Sequence, residues 1–432
     1  MAALTRESPR YFWGICRLAD WYQVAGDKNQ YLRTAETLVR TWPVSAVAHG
    51  YLGDAQRGKG AIPEAHKSFQ RAVELDAAYT FAIENLLEMD LAAGNVSDAA
   101  KWEKQLEQHA TAERSALARL QIAAARPDKK IAMVELQALC RISSAPTWML
   151  ERALDVLVGK KWSDSIGYYV RGALDHDACN PRSSEVCVRC LARHRQWKLC
   201  RAFVASLDTR SENFRRAMLE FIQQIVNSNN FAMLGWLIRR YHKVLHENTE
   251  LWGKIGYALK RFGRHRRIIR WMRDWRQRPD VKAWMLGNLA ATYRAMGSRA
   301  KATEVSTFAM KIDGDPADRT IHALWLAADA AVLKRLDSAQ AWLSQAGISP
   351  NSPPHHQFIK AITDAALQRL REPATPFSST KAQMAAAIKL YPAFRKTREI
   401  KFLYCQILTR ISRSSSGLSG MIWCWRQIVR AL

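Results

Sequence analysis

Residues Ala46 to Tyr79 read AVAHGYLGDAQRGKGAIPEAHKSFQRAVELDAAY. Two short helical patterns share this stretch. The first carries Leu52, Gly53 and Gln56 and ends at Gly60. The second carries Ala65, Phe69 and Ala72, spaced four and three, which places all three on one helical face. Small residues at Gly53, Ala65 and Ala72 let two helices approach closely, and Phe69 fills the space beside them. A hairpin of this size cannot bury its apolar face alone. It needs copies of itself on either side.

The copies are present. A step of 34 residues back gives Gly26, Leu18 and Leu38, and a step forward gives Gly94, Leu86, Ala99 and Leu106. The ladder reopens at Gly263 and Gly297, again 34 apart, with Ile255, Gly256 and Leu259 before the first and Leu289, Ala290 and Tyr293 before the second. Ala302 and Ala309 follow. Between these runs the copies are degenerate, but turns near Lys160, Arg195 and Asn229 keep a spacing close to 34. Strand signals are nearly absent. The expectation is an all-α solenoid of antiparallel helical hairpins, with about ten to twelve repeats. Its divisions are three regular repeats over 1–110, degenerate repeats over 111–247, regular repeats over 248–348, and linker-interrupted helices over 349–432. In the last of these, Ser349 to Pro354 and Pro373 to Ser379 read as linkers, and Lys381 to Leu390 and Arg395 to Ile411 as helices. The apolar end around Met421, Ile422, Trp423 and Trp425 reads as a docking segment, a segment awaiting its continuation, or a truncated frame.

Leu18-Ala19-x-x-Tyr22, Leu52-Gly53, Ala65-x-x-x-Phe69-x-x-Ala72 and Pro43 together resemble the tetratricopeptide (TPR) repeat. Gln56, Asp90 and Ala77 depart from its pattern. The resemblance implies a right-handed superhelix whose first helices line a concave groove. Carried over by position, that groove holds Trp13, Asp20, Asp54, Phe81, Glu84 and Glu88 in the first copies. Later copies supply Tyr257, Lys260, Trp284 and Arg294, and the degenerate ones Arg182, Arg189 and Arg216. The strip changes from acidic and aromatic to basic along its length. It reads either as ordinary solvated charge or as a groove for a peptide or helix of matching polarity. The family's clamp for a C-terminal carboxylate needs Lys and Asn where this chain has Cys16 and Asp20.

The net charge of +26 is uneven. Residues 1–110 hold 12 Lys and Arg against 14 Asp and Glu, a net of −2, whereas residues 151–300 hold 29 against 13, a net of +16. Such asymmetry concerns partners, not fold. The densest basic run, Lys260 to Arg278, contains Arg264, Arg266, Arg267, Arg270 and Arg273, with Asp274 its one acid inside the run. Arg266, Arg270 and Arg273 fall on one face, and Ile269, Met272 and Trp275 are expected inward. A solvated face, an acidic protein or lipid surface, and nucleic acid are the three readings. No stretch has a signal-peptide core or approaches 18 consecutive apolar residues, so a soluble, cytoplasmic protein is expected.

Eight irregularly spaced cysteines suggest reduced thiols. Cys187-x-x-Cys190 has zinc-type spacing but lacks a second pair, and one helical turn of separation also suits core residues. No phosphate-loop, HExxH, GxSxG or dinucleotide motif is found, so no enzyme and no cofactor are expected. The function expected is a scaffold or adaptor that binds a protein partner, peptide or helix, in its groove. The alternatives are a nucleic-acid-associated regulator using the basic 182–299 region, and the repeat arm of a larger enzyme complex.

Overall fold

The computed structural model describes residues 11–176, 179–312, 314–374, 376–396, 398–413 and 418–431. The chain forms two compact units, 1–224 and 225–432. Among the described residues there is no strand. The first unit contains α1 Phe12–Val24, α2 Lys28–Thr41, α3 Ala46–Gly58, α4 Ile62–Leu75, α5 Thr80–Ala92, α6 Val96–His109, α7 Ala112–Ala125, α8 Lys129–Arg141, α9 Thr147–Gly159, α10 Ser163–Leu174, α11 Ser183–Arg193 and α12 Trp197–Ser206. The boundary at 224 falls inside α13 Glu212–Asn227. The second unit continues with α14 Phe231–Glu247, α15 Thr249–Arg261, α16 His265–Trp271, α17 Ala283–Ala295, α18 Arg299–Ala309, α19 Pro316–Val332, α20 Leu336–Ala346, α21 Pro354–Arg371, α22 Phe377–Leu390, the 3-10 turn Pro392–Lys396, α23 Arg398–Arg413 and α24 Leu418–Ala431. Within each unit, consecutive helices pack as hairpins against the next pair.

One turn repeats through both units. Gly26, Gly60, Gly94, Gly263 and Gly297 all have φ between 65° and 83°. Lys161, Arg195, Asn229 and Lys334 hold the same left-handed position at φ of 54° to 62°. At Gly60 the turn is closed by Gly60 N–H to the Arg57 carbonyl (2.9 Å) and Ala61 N–H to the Gln56 carbonyl (3.0 Å). The same two bonds close it at Lys161, where they reach Val158 (2.9 Å) and Leu157 (3.0 Å), and at Arg195, where they reach Ala192 (2.9 Å) and Leu191 (2.8 Å). This is the Schellman arrangement, which satisfies carbonyls left over at a helix end. The degenerate copies therefore lack the glycine but keep the turn.

The buried positions keep step with it. Ala65, Ala99, Ala132, Ile166, Cys200, Leu234, Ile268 and Ala302 stand at one position of successive second helices, and all eight are 0% exposed. The step is 34 residues except at Pro127-Asp128, where it is 33. In the first hairpins the close approach is made by Gly53, where an added Cβ would lie 2.9 Å from the Phe69 ring. Gly256 repeats this against Met272, with its Cβ 2.7 Å from the sulfur.

Three sequence expectations change here. Helix α21 occupies residues between the two expected linkers, because Pro354 fills a first-turn position where no N–H is needed. Helix α22 starts at Phe377, before the expected Lys381, again just after a proline. In the basic run the buried side chains are Ile268, Trp271, Met272 and Trp275, while Ile269 is half-buried. Met272 and Trp275 are thus buried as expected, and the one change is that Ile268 takes the inward place expected of Ile269. The C-terminal apolar segment is α24, which packs on α23 with Cys424 and Ile428 buried. Met421 and the other residues from Arg413 to Gly420 have side chains outside the described set.

Candidate functional site

The first helix of each early hairpin carries an acid, and in the structure each acid ties two hairpins together. Tyr51 donates to Asp20 Oδ1 at 2.8 Å, and Gln23 and Tyr31 donate to Asp54 Oδ2 at 2.8 and 2.9 Å. Arg57 reaches Glu88 at 3.3 Å, and Arg152 reaches it at 2.6 Å. Arg114 holds Glu84 at 2.6 Å. Burial pushes the Glu84 carboxyl up, against the opposing pull of Arg114. The arginines of the middle copies behave alike. Arg189 binds Glu151 (2.7 Å) and Glu220 (3.0 Å), and Arg216 binds Glu212 (2.8 Å). Arg182 is exposed just before α11. Most of these charges are thus matched one by one between or within neighbouring hairpins, so they set register more than they project a field.

What stays open on this face is aromatic. Trp13 is 53% exposed, Phe81 39% and Trp148 49%. All three hold the same register position, the second helical residue of α1, α5 and α9. Trp148 was not among the sequence candidates. Counting 34 from Ser115 lands on Met149, because the repeat with Pro127-Asp128 is one residue short. The shortened turn is the signal that would have found it. Trp13 also carries the Arg17 guanidinium over its ring at 5.4 Å.

In the second unit the equivalent face is covered at α17 and α19. Helix α23 packs across α17 and α19, which are first helices of their hairpins. Lys260, Trp284 and Arg294 line an open cavity of about 400 Å³ together with α21, Tyr391 and Ile400. Arg294 is buried, with its guanidinium against Asp329 (3.3 Å) and Ser306 (3.1 Å) and stacked on Trp325 at 4.6 Å. It is a core ion-pair member where the sequence suggested an open groove position. Tyr257 is half-buried beneath Lys254, whose ammonium lies 5.3 Å from the ring centre.

On the second-helix side, Arg264 and Arg267 lie over the Phe231 ring at 4.1 and 5.4 Å. Arg266, Arg270 and Arg273 are exposed.

The two paired cysteines separate. Cys187 is fully buried at the core position held by Leu86 and Ile255 in other copies. Cys190 joins Asp155 and His194, with one ligand-type atom from each within 4.8 Å of the others. Burial pushes the Cys190 thiol up to about 12. Arg193 holds both Asp155 oxygens at 2.6 and 2.7 Å, and the His194 Nε2–H donates to Oδ1 at 3.0 Å. A guanidinium already seated on the carboxylate opposes a dication there, so the cluster works as a network joining α9 to α11.

No helix among the described residues is long and apolar enough to cross a membrane. No family model matches the chain, and no curated protein matches it. Among solved structures, yeast Tom70 aligns with 98% of this chain and 96% of its own at 10% identity and a TM-score of 0.29. A structure of Naa15/Naa10 bound to HypK-THB aligns with 95% of this chain and 78% of its own at 12% identity and a TM-score of 0.26. Scores of that size carry no inference about function, and the helical-repeat architecture rests on the chain's own turns and buried positions.

Proposed function

We propose that this is a TPR-like interaction scaffold that holds an extended segment or helix of a protein partner on the first-helix face of residues 11–224. The observation that carries the reading is the row Trp13, Phe81 and Trp148. Each is a large apolar ring, 39% to 53% exposed, at one register position, on a fold whose second helices repeat a fully buried position. Aromatic side chains in such a row supply rigid contact area and dominate interface energetics. A helix seated on first helices also has a precedent within the chain, since α23 lies on α17 and α19.

The test is quantitative capture from nuclease-treated lysate, comparing the wild-type chain with a Trp13→Ala, Phe81→Ala, Trp148→Ala variant of equal melting temperature. The reading expects one or a few discrete proteins at stoichiometric yield on wild type, reduced at least tenfold on the variant. Equal recovery on both would overturn it.

A further inference from the structure

The basic run and its neighbouring hairpin border an open cavity that the groove reading does not use. It measures about 530 Å³ and lies between α14 and α16, with Leu259 of α15 at its base. Arg239, His242 and His246 form one wall, at spacings of three and four on α14. Arg267, Arg270 and Arg273 form the other, at successive steps of three. Trp271 makes the floor. Its indole N–H donates to the Trp252 carbonyl at 3.0 Å, and Trp252 returns the bond to the Trp271 carbonyl at 3.2 Å, so the ring is fixed. His242 and His246 stack with ring centres 5.7 Å apart and meet Trp271 edge-on at 5.5 and 5.2 Å.

The charge in this cavity is unbalanced. No carboxylate pairs with Arg239, Arg270 or Arg273 among the described residues. Asp274 is held by Arg278 at 2.7 Å and faces His246 at 3.7 Å. The His246 imidazole is held below its ordinary range, first by burial and then by the charge of Arg278, His242 and Arg273. This contrasts with the first-helix face, where most charges are paired. Planar guanidinium groups on two facing walls suit phosphate oxygens, which accept paired N–H donors. A fixed indole floor flanked by two imidazoles suits a flat ring.

We infer that this cavity is a binding site for a phosphate ester whose molecule also bears a flat aromatic ring. A free nucleoside phosphate and a phosphotyrosine side chain share that chemistry. Equilibrium dialysis of the full chain against labelled ADP and against labelled phosphotyrosine separates the two sources. Saturable binding of at least one is expected, at one site per chain, competed weakly by inorganic phosphate. Arg239→Gln with Arg270→Gln should weaken it at least tenfold, and these exposed substitutions leave the core untouched. Arg266→Gln is the control, because Arg266 is exposed nearby but does not line the cavity. Loss of binding in the control equal to that in the double variant would mean diffuse surface charge and would overturn the site. So would absence of saturable binding to either probe at millimolar concentration, or binding of polynucleotide that neither probe displaces.

Discussion

Gly53 and Gly58 sit in the same helix with opposite surroundings. A Cβ on Gly53 would meet the fully buried Phe69 ring at 2.9 Å, whereas one on Gly58 would meet nothing within 4 Å. Gly53→Val is therefore expected to cost about 1–3 kcal/mol by overpacking. Gly58→Ala is expected to hold or raise stability, by up to about 1 kcal/mol. Chemical denaturation checks both, and equal responses would contradict the Phe69 packing. His322 gives a second test at this scale. It is 1% exposed, and its Nε2–H donates to the Ala283 carbonyl at 2.9 Å. Burial, helped by Arg294, holds its imidazole down to about 4. The unfolded chain then binds the proton more readily, so stability is intact above about pH 6.5 and falls as pH drops toward 4. The size is roughly 3 kcal/mol. His322→Gln should remove this component, seen as a flatter dependence of the denaturation midpoint on pH between those values. A slope identical to wild type would show that His322 titrates freely. Phe69 and its glycine were readable from spacing alone. The burial of Arg294 was not, because its partner Asp329 lies 35 residues on, in another hairpin.

At the scale of the helix and its turn, the left-handed position is the recurring device. Glycine fills it in five copies, and Lys161, Arg195, Asn229 and Lys334 fill it elsewhere. A side chain there is strained by about 1–2 kcal/mol, except where asparagine eases it. Lys161→Gly and Arg195→Gly should each stabilise the chain by up to about 1 kcal/mol, and Gly60→Ala should destabilise it by a similar amount. Thermal and denaturant midpoints measure this; a Lys161→Gly variant less stable than wild type would contradict the turn. The regular copies were legible because glycine advertises the turn. The middle copies were legible only as spacing, since their turns carry ordinary residues. Helix α21 was hidden because prolines that open helices look like linker residues. Trp148 was hidden by the one-residue shortening at Pro127-Asp128.

At the scale of the molecule, the chain builds two units from one hairpin design and uses their faces differently. The first unit leaves its aromatic row open, while the second covers the equivalent face at α17 and α19 with α23 and carries the arginine-walled cavity on its second helices. The uneven charge was plain in the sequence, but the cavity was not. One wall belongs to the basic run, and the other comes from Arg239, His242 and His246 on the preceding helix pair. Both assignments depend on the repeat register continuing unbroken through the degenerate middle. The native cysteines report on that register directly. Cys140, Cys187, Cys190 and Cys200 are buried within it, and Cys179 is the one partly accessible thiol of this region. Burial also pushes the Cys200 thiol up to about 12, which suppresses the reactive thiolate. The measurement is thiol labelling of the native chain with a neutral alkylating reagent, read site by site by mass spectrometry. Labelling of Cys179 well ahead of the other four, which react only on unfolding, is the predicted result. Fast native labelling of Cys187 and Cys200 would contradict the register and, with it, the placement of Trp148.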